Sequence, residues 1–328
     1  MNLYTFRNEF FLADYMYKIG NYDTDYLTTA FANEGYCDVY NLDATRLFAE
    51  TDIVAERREN SVHIGADKKY IFEFCITPNT GFLANEDLLL KDAELKLCFD
   101  RSDVKQVLMC QDADWTQLVA DGKAGQLVIK DCYAVVDYVS SPNLRTYFDA
   151  INYSPIRYEY EDCEVFVKSI PQGETNIRFD NLRGGNIPTH MFIGFIETAG
   201  LNGSNAKSST RFSPHNINYV NISLNGNSVN GYPISIDHNS AVQPLQKFIN
   251  CTNRSCDIAT GKMFTPTEFK FNWVWSHCFE AEDGATGWLG VNCRLSQAFN
   301  ESMSMVAWII SPAAIAIDKF NQLEKVTM

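Results

Sequence analysis

The residues with the best claim to chemistry are the carboxylates Glu159, Glu161, Asp162 and Glu164, which fall in one short run. Paired carboxyl groups a few ångströms apart are what a glycosidase or a calcium site needs. Glu159 and Glu161, however, alternate with Tyr158 and Tyr160, and that period of two describes the solvated face of a strand. Glu280, Glu282 and Asp283 precede Gly284 and read as an acidic loop tip facing solvent.

Nucleophile, metal and phosphate patterns fare no better. Gly226-Asn227-Ser228-Val229-Asn230 lacks the second glycine of a nucleophile elbow and follows a hairpin turn instead of opening a helix. Gly261-Lys262 lacks the upstream glycine and the following Ser or Thr of a phosphate loop. His63, His190, His215, His238 and His277 lie far apart, without the i, i+4 spacing of a helical metal site. The ten cysteines include no Cys-x-x-Cys pair, and several sit between apolar strand residues, so they read as buried reduced thiols. Trp115, Trp273, Trp275, Trp288 and Trp308 could stack sugars or bases, but Trp273 and Trp275 share the face of Phe271 and read as core. The expected catalytic, cofactor-binding and metal residues are therefore none, with no cofactor.

The elements that would position any site are mostly strands. Between Glu164 and Gly226, four runs rich in β-branched and aromatic residues are cut by Pro171, Gly173, Gly184, Gly185 and Pro188. His190–Glu197 (HMFIGFIE) is apolar on both parities, as a strand buried on both faces should be, while Val220, Ile222 and Leu224 alternate with polar residues and lead to an Asn225-Gly226 turn. Phe269, Phe271, Trp273 and Trp275 share one face, and Leu289, Val291, Cys293 and Leu295 share another. Arg157–Lys168, Tyr70–Ile76, Ala93–Phe99 and Gln126–Val139 also read as strands, and Met303–Ser311 and Ala313–Asp318, split by Pro312, as a closing pair. Helices are expected at the N-terminus (Leu3, Phe6, Phe10, Ala13, Tyr17), at Tyr26–Asn33, at Ser141–Ile151 and at Pro244–Asn250. The polar stretch Asp100–Gly125 marks a boundary near residue 110.

A chain of 328 residues buries enough surface for one large or two smaller units. A formal net charge of −14 and the lack of a basic stripe argue against direct nucleic-acid binding. Arg7, Glu9, Asp14 and Lys18 interrupt the first twenty residues, unlike a signal peptide, and no run approaches the length of a membrane span.

Several segments, in order, resemble the hexon-type major capsid proteins of Polinton (Maverick) elements and adintoviruses. They are Leu88–Leu97; Val128–Val139 with the helix at Ser141; Ser154-Pro155-Ile156; Ile170-Pro171-Gln172-Gly173 before Ile177–Leu182; Ile187-Pro188 before Ile193-Gly194-Phe195; Leu201-Asn202-Gly203-Ser204; and Ile315–Lys319. The resemblance implies a mainly β, double jelly-roll protein. A partial N-terminal roll with short helices would occupy 1–110 and a complete C-terminal roll 111–328, with the opening strands of the first roll missing. It further implies a non-enzymatic structural protein: a homotrimer that tiles an icosahedral capsid, meets penton or minor capsid proteins, and is made and assembled inside the host cell before residing in the virion. The alternative from the residues alone is a carbohydrate-binding β-sandwich using loop aromatics such as Trp288 or Tyr232.

Overall fold

A computed structural model describes residues 154–204, 207, 212, 214–236, 241–251, 273–280, 285–318 and 323–327, the backbone of 62–64 and 69–71, and scattered positions between 82 and 149. The fold is mainly β, with antiparallel sheets. A short hairpin joins β1 (Val62–Ile64) and β2 (Lys69–Ile71). The main body comprises β3 (Ile156–Ile170), β4 (Asn176–Asn186), β5 (His190–Glu197), α1 (Thr198–Asn202), β6 (Ile217–Leu224), β7 (Asn227–Ser228), β8 (Ile234–Ser235), α2 (Val242–Cys251), β9 (Val274–Cys278), β10 (Thr286–Leu295), β11 (Met303–Ile317) and β12 (Leu323–Thr327).

The pairing is nested. β3 pairs β11, β4 pairs β10, β5 pairs β9 and β6 pairs β8, all antiparallel. The chain thus behaves as one long hairpin that has been rolled up. Rolling brings β11 beside β5 and β10 beside β6, which divides the strands between a β3-β11-β5-β9 sheet and a β4-β10-β6-β8 sheet. Eight strands in this arrangement are a jelly roll.

The core follows from the alternation. Met303, Met305, Ala307 and Ile309 of β11, Met191, Ile193 and Phe195 of β5 and Trp275 of β9 are in register on one face and buried. Ile177, Val220, Ile222, Leu289, Val291 and Cys293 supply the other sheet. Each large apolar side chain so buried contributes about 1.5–3 kcal/mol. The reverse face of the β11 sheet is covered as well. Phe248 of α2 meets Phe192 edge-on at 6.2 Å, and Phe212 meets Trp308 at 5.3 Å. This double covering explains why His190–Glu197 is apolar on both parities. Lys207, in the connection after α1, ties that connection down by pairing with Glu197 at 2.8 Å and with Glu301.

Pro312 does not divide the final strand, contrary to the two-strand expectation. β11 runs unbroken from Met303 to Ile317. The Ile310 carbonyl accepts from the Thr189 amide, so the backbone polar groups of even-numbered residues here point away from β3. On that edge β5 ends opposite Ile310 and β12 begins opposite Ala313. The missing N–H of Pro312 therefore falls in the gap between two partners, where no ladder bond is lost.

Gly184 and Gly185 also lie within a strand and not between strands, because β4 continues to Asn186 with those glycines opposite Trp288 and Gly287. β4 is an edge strand with a bulge between its pairings to Leu289 and Val291, and such places tolerate glycine. Arg157–Lys168, Pro244–Asn250 and the Asn225-Gly226 turn are found at β3, α2 and the β6–β7 hairpin. Asn225 and Gly226 have φ of 53° and 81°, the positive pair a tight hairpin turn requires. Gly226→Val should lower stability by about 1–2 kcal/mol, read from the midpoint of denaturant unfolding.

The remaining strand expectations differ. Lys96 and Cys98, and Ile129, Cys132, Tyr133, Val135, Val136 and Val139, carry no strand pairing and are exposed. Of Tyr70–Ile76, Tyr70 and Ile71 lie in β2 and 72–76 are outside the described residues. Asp149 is helical, as expected of Ser141–Ile151, and Thr116 and Ala120 are helical within the expected boundary stretch. The N-terminal helices and the Phe269–Phe271 part of its strand lie outside the described residues.

Candidate functional site

The carboxylate run lies along β3. Glu159 and Glu161 are exposed, whereas Tyr158 is 1% exposed and Tyr160 half-buried, so the alternation of solvated acid and packed ring holds. Glu164 faces the second sheet, where its Oε2 accepts a 2.5 Å hydrogen bond from Arg183 Nε. It serves as an electrostatic tie between sheets and not as one of a catalytic pair. Tyr158 and Ile317 form a small cluster with Phe82, whose ring lies 5.8 Å from that of Tyr158. Glu280 is exposed, and Glu282 and Asp283 lie outside the described residues.

Three tryptophans are core. Trp273, Trp275 and Trp308 are buried, while Trp288 is 49% exposed on the outer side of β10. Trp115 lies outside the described residues. Tyr232 is unavailable to a sugar: its ring is buried and its hydroxyl donates to the Ser276 carbonyl at 2.9 Å. Ser228 sits in the two-residue strand after the hairpin turn, not at a strand-to-helix elbow.

Among the described residues, a group of titratable side chains gathers where α2 crosses β9. Spacing along the sequence gave no sign of it. The β5–β9 register turns His277 inward beside Met191, and Ser276 and Cys278 outward toward α2. His277 packs edge-on against Tyr232 at 5.6 Å and Phe279 at 4.6 Å. Lys247 Nζ donates to the Asn230 carbonyl at 3.2 Å and lies 5.6 Å from the Tyr232 ring centre. At the end of α2, which packs along β9, the Cys251 thiol interacts with Cys278.

Every strongly shifted group here is held neutral. Burial, and then the nearby Lys247 charge, lowers the His277 pKa to about 4. Burial pushes the Cys251 thiol up to about 12 and raises Cys293 and the Tyr232 phenol well above their ordinary values. An activated cysteine needs the opposite environment, with its thiolate favoured by positive charge and partial exposure. His277, Cys251 and Tyr232 are therefore packed, neutral members of the cluster, and none of the three is poised as a base or nucleophile near neutral pH.

The other histidines are scattered. His63 is in β1, His190 stacks on Phe192 at 6.3 Å, His215 lies against Phe299, and His238 is outside the described residues. Among the described residues, no group of three His, Cys, Asp or Glu side chains could hold a metal ion, and no helix is long and apolar enough to cross a membrane. The described cysteines are free thiols; Cys251 and Cys293 are buried, Cys163 and Cys278 half-buried, and Cys98 and Cys132 exposed.

No protein-family model matches the chain, and no curated protein matches it. Among solved structures, it is similar to a chain of the Sputnik virophage at 10% identity and a TM-score of 0.37, covering 53% of this chain and 39% of that one. It is similar to a chain of the PBCV-1 virus capsid at 10% identity and a TM-score of 0.36, covering 57% and 55% respectively. For the mavirus major capsid protein the values are 8% identity, a TM-score of 0.33, and coverage of 53% and 41%. The chain thus spans between 39% and 55% of the length of these structures.

Proposed function

We propose that this chain is a viral capsid protein that assembles with copies of itself into a shell. The observation that carries the reading is the nested pairing of β3 with β11, β4 with β10, β5 with β9 and β6 with β8. This topology serves shell proteins, lectins and cupins. A cupin-type enzyme needs metal ligands inside the roll, whereas the space between these sheets is filled by Met191, Ile193, Phe195, Trp275 and Met305. The ordered segments resembling Polinton and adintovirus capsid proteins favour the shell over the lectin, and the burial of Tyr232 removes one of the lectin's two aromatic platforms.

In this reading residues 1–110 contribute a second, partial roll beside the C-terminal roll of 111–328. Three copies form a pseudo-hexagonal block, such blocks tile an icosahedral shell, and minor capsid proteins close its vertices. The protein is synthesised in the host cell and resides in the virion capsid, with genome contact left to other components in keeping with its net charge of −14. Sizing and negative-stain microscopy of the purified chain test this. Trimers with a roughly hexagonal outline are expected; a strictly monomeric species retained on a glycan column would overturn the proposal in favour of the lectin.

A further inference from the structure

We propose that Cys251 and Cys278 are a redox-responsive pair that closes into a disulfide, stapling α2 to β9, when the protein meets an oxidising thiol–disulfide environment. The two residues end their elements: Cys251 is the last residue of α2 and Cys278 the last of β9. α2 packs along β9, and the two thiols lie close enough to interact across that contact. Among the described residues no other thiol competes at this contact: the residue paired with Cys278 on β5 is His190, and the buried Cys293 faces the core from the opposite sheet.

The two differ in access, which sets the order of events. Cys278 is half-buried and Cys251 buried, so a small external disulfide such as oxidised glutathione reaches Cys278 first. The Cys278 thiolate attacks one glutathione sulfur, forming a mixed disulfide and releasing one glutathione thiolate. Cys251 then loses its proton to solvent and attacks the Cys278 sulfur, forming the protein disulfide and releasing the second glutathione. Two protein thiols are oxidised and one glutathione disulfide is reduced. Because burial holds the Cys251 proton tightly, the second step is slow at neutral pH and speeds up as pH rises.

A staple here closes the chain between the end of α2 and the end of β9. It restricts the unfolded chain and fixes the helix that covers Phe192. A subunit made reduced and later exposed to oxidising surroundings would thereby gain stability without any change of fold.

The test incubates the full chain with oxidised glutathione, quenches by alkylation, and maps cysteine-containing peptides, with thermal melting in parallel. A Cys251–Cys278 linked peptide and a rise of several degrees in Tm, reversed by dithiothreitol, are expected. Cys251→Ser should stop the reaction at a glutathione adduct on Cys278 with no rise in Tm, and Cys278→Ser should leave Cys251 unmodified. The proposal is overturned if both cysteines are recovered alkylated in the wild type while exposed Cys98 and Cys132 oxidise. It is equally overturned if Cys278 links to a different cysteine. The readout is independent of assembly, so it stands or fails separately from the capsid reading.

Discussion

Gly194→Glu is expected to yield no soluble protein, and even Gly194→Ala should lower stability by about 1–3 kcal/mol. Gly194 lies in the middle of β5, between β11 and β9, and pairs with Val306 and Val274. A Cβ at this position would lie 2.5 Å from Cδ1 and 2.9 Å from Cε1 of Phe212. Phe212 has little room to retreat, being 2% exposed and packed edge-on against Trp308. A glutamate adds an unpaired charge to the same crowded layer, a far larger penalty than the methyl group alone. The soluble fraction and the melting curve check both variants. Phe212→Ala costs about 3–5 kcal/mol by itself, yet it should erase the added cost of Gly194→Ala in the double variant, since the two share one volume. An unchanged melting curve for Gly194→Ala would mean that Phe212 does not cover β5.

Acid is expected to weaken the roll through His277. The imidazole is buried against Tyr232 and Phe279 with Lys247 nearby, and its pKa falls from 6.5 to about 4. The folded state therefore refuses a proton that the unfolded chain accepts between those values. Stability from this group is complete above pH 6.5, declines as pH falls toward 4, and changes no further below that. The loss amounts to roughly 1–3 kcal/mol across the window, allowing for partial solvent screening of the ring. His277→Phe removes the titrating group while keeping an aromatic ring. Denaturant midpoints measured from pH 7 to pH 4 should therefore fall less steeply in the variant than in the wild type. Parallel slopes would show that His277 is protonated without cost.

The strands of the C-terminal roll were legible because burial there is periodic. Leu289, Val291, Cys293 and Leu295 alternate with Gly290, Asn292 and Arg294, and the first four are buried. His190–Glu197 showed its double burial through the lack of alternation. Pro312 misled because proline forbids a ladder bond only where a partner strand lies, and the gap there depends on where β5, remote in sequence, and β12 each stop along β11. Gly184 and Gly185 misled for a related reason, since turn and bulged edge strand make the same local demand. The Cys251–Cys278 contact was invisible because it depends on how α2 crosses β9, which no spacing encodes. Tyr232 likewise read as an open loop aromatic, whereas its ring is buried and its hydroxyl bonds to the Ser276 carbonyl of β9.

The nested pairing also dictates when this protein can fold. The opening strand finds its partner only at the close: Ile156 pairs with Ile317 and Ile170 with Met303. As the chain leaves the ribosome, β6 and β8 can meet early, but β3 must wait, its apolar residues unprotected, until nearly the whole roll has been made. Such distant contacts are slow to form and leave intermediates open to aggregation. Mid-gene stalling should therefore be far more damaging than a slow start, and chaperone demand should peak just before β11 emerges.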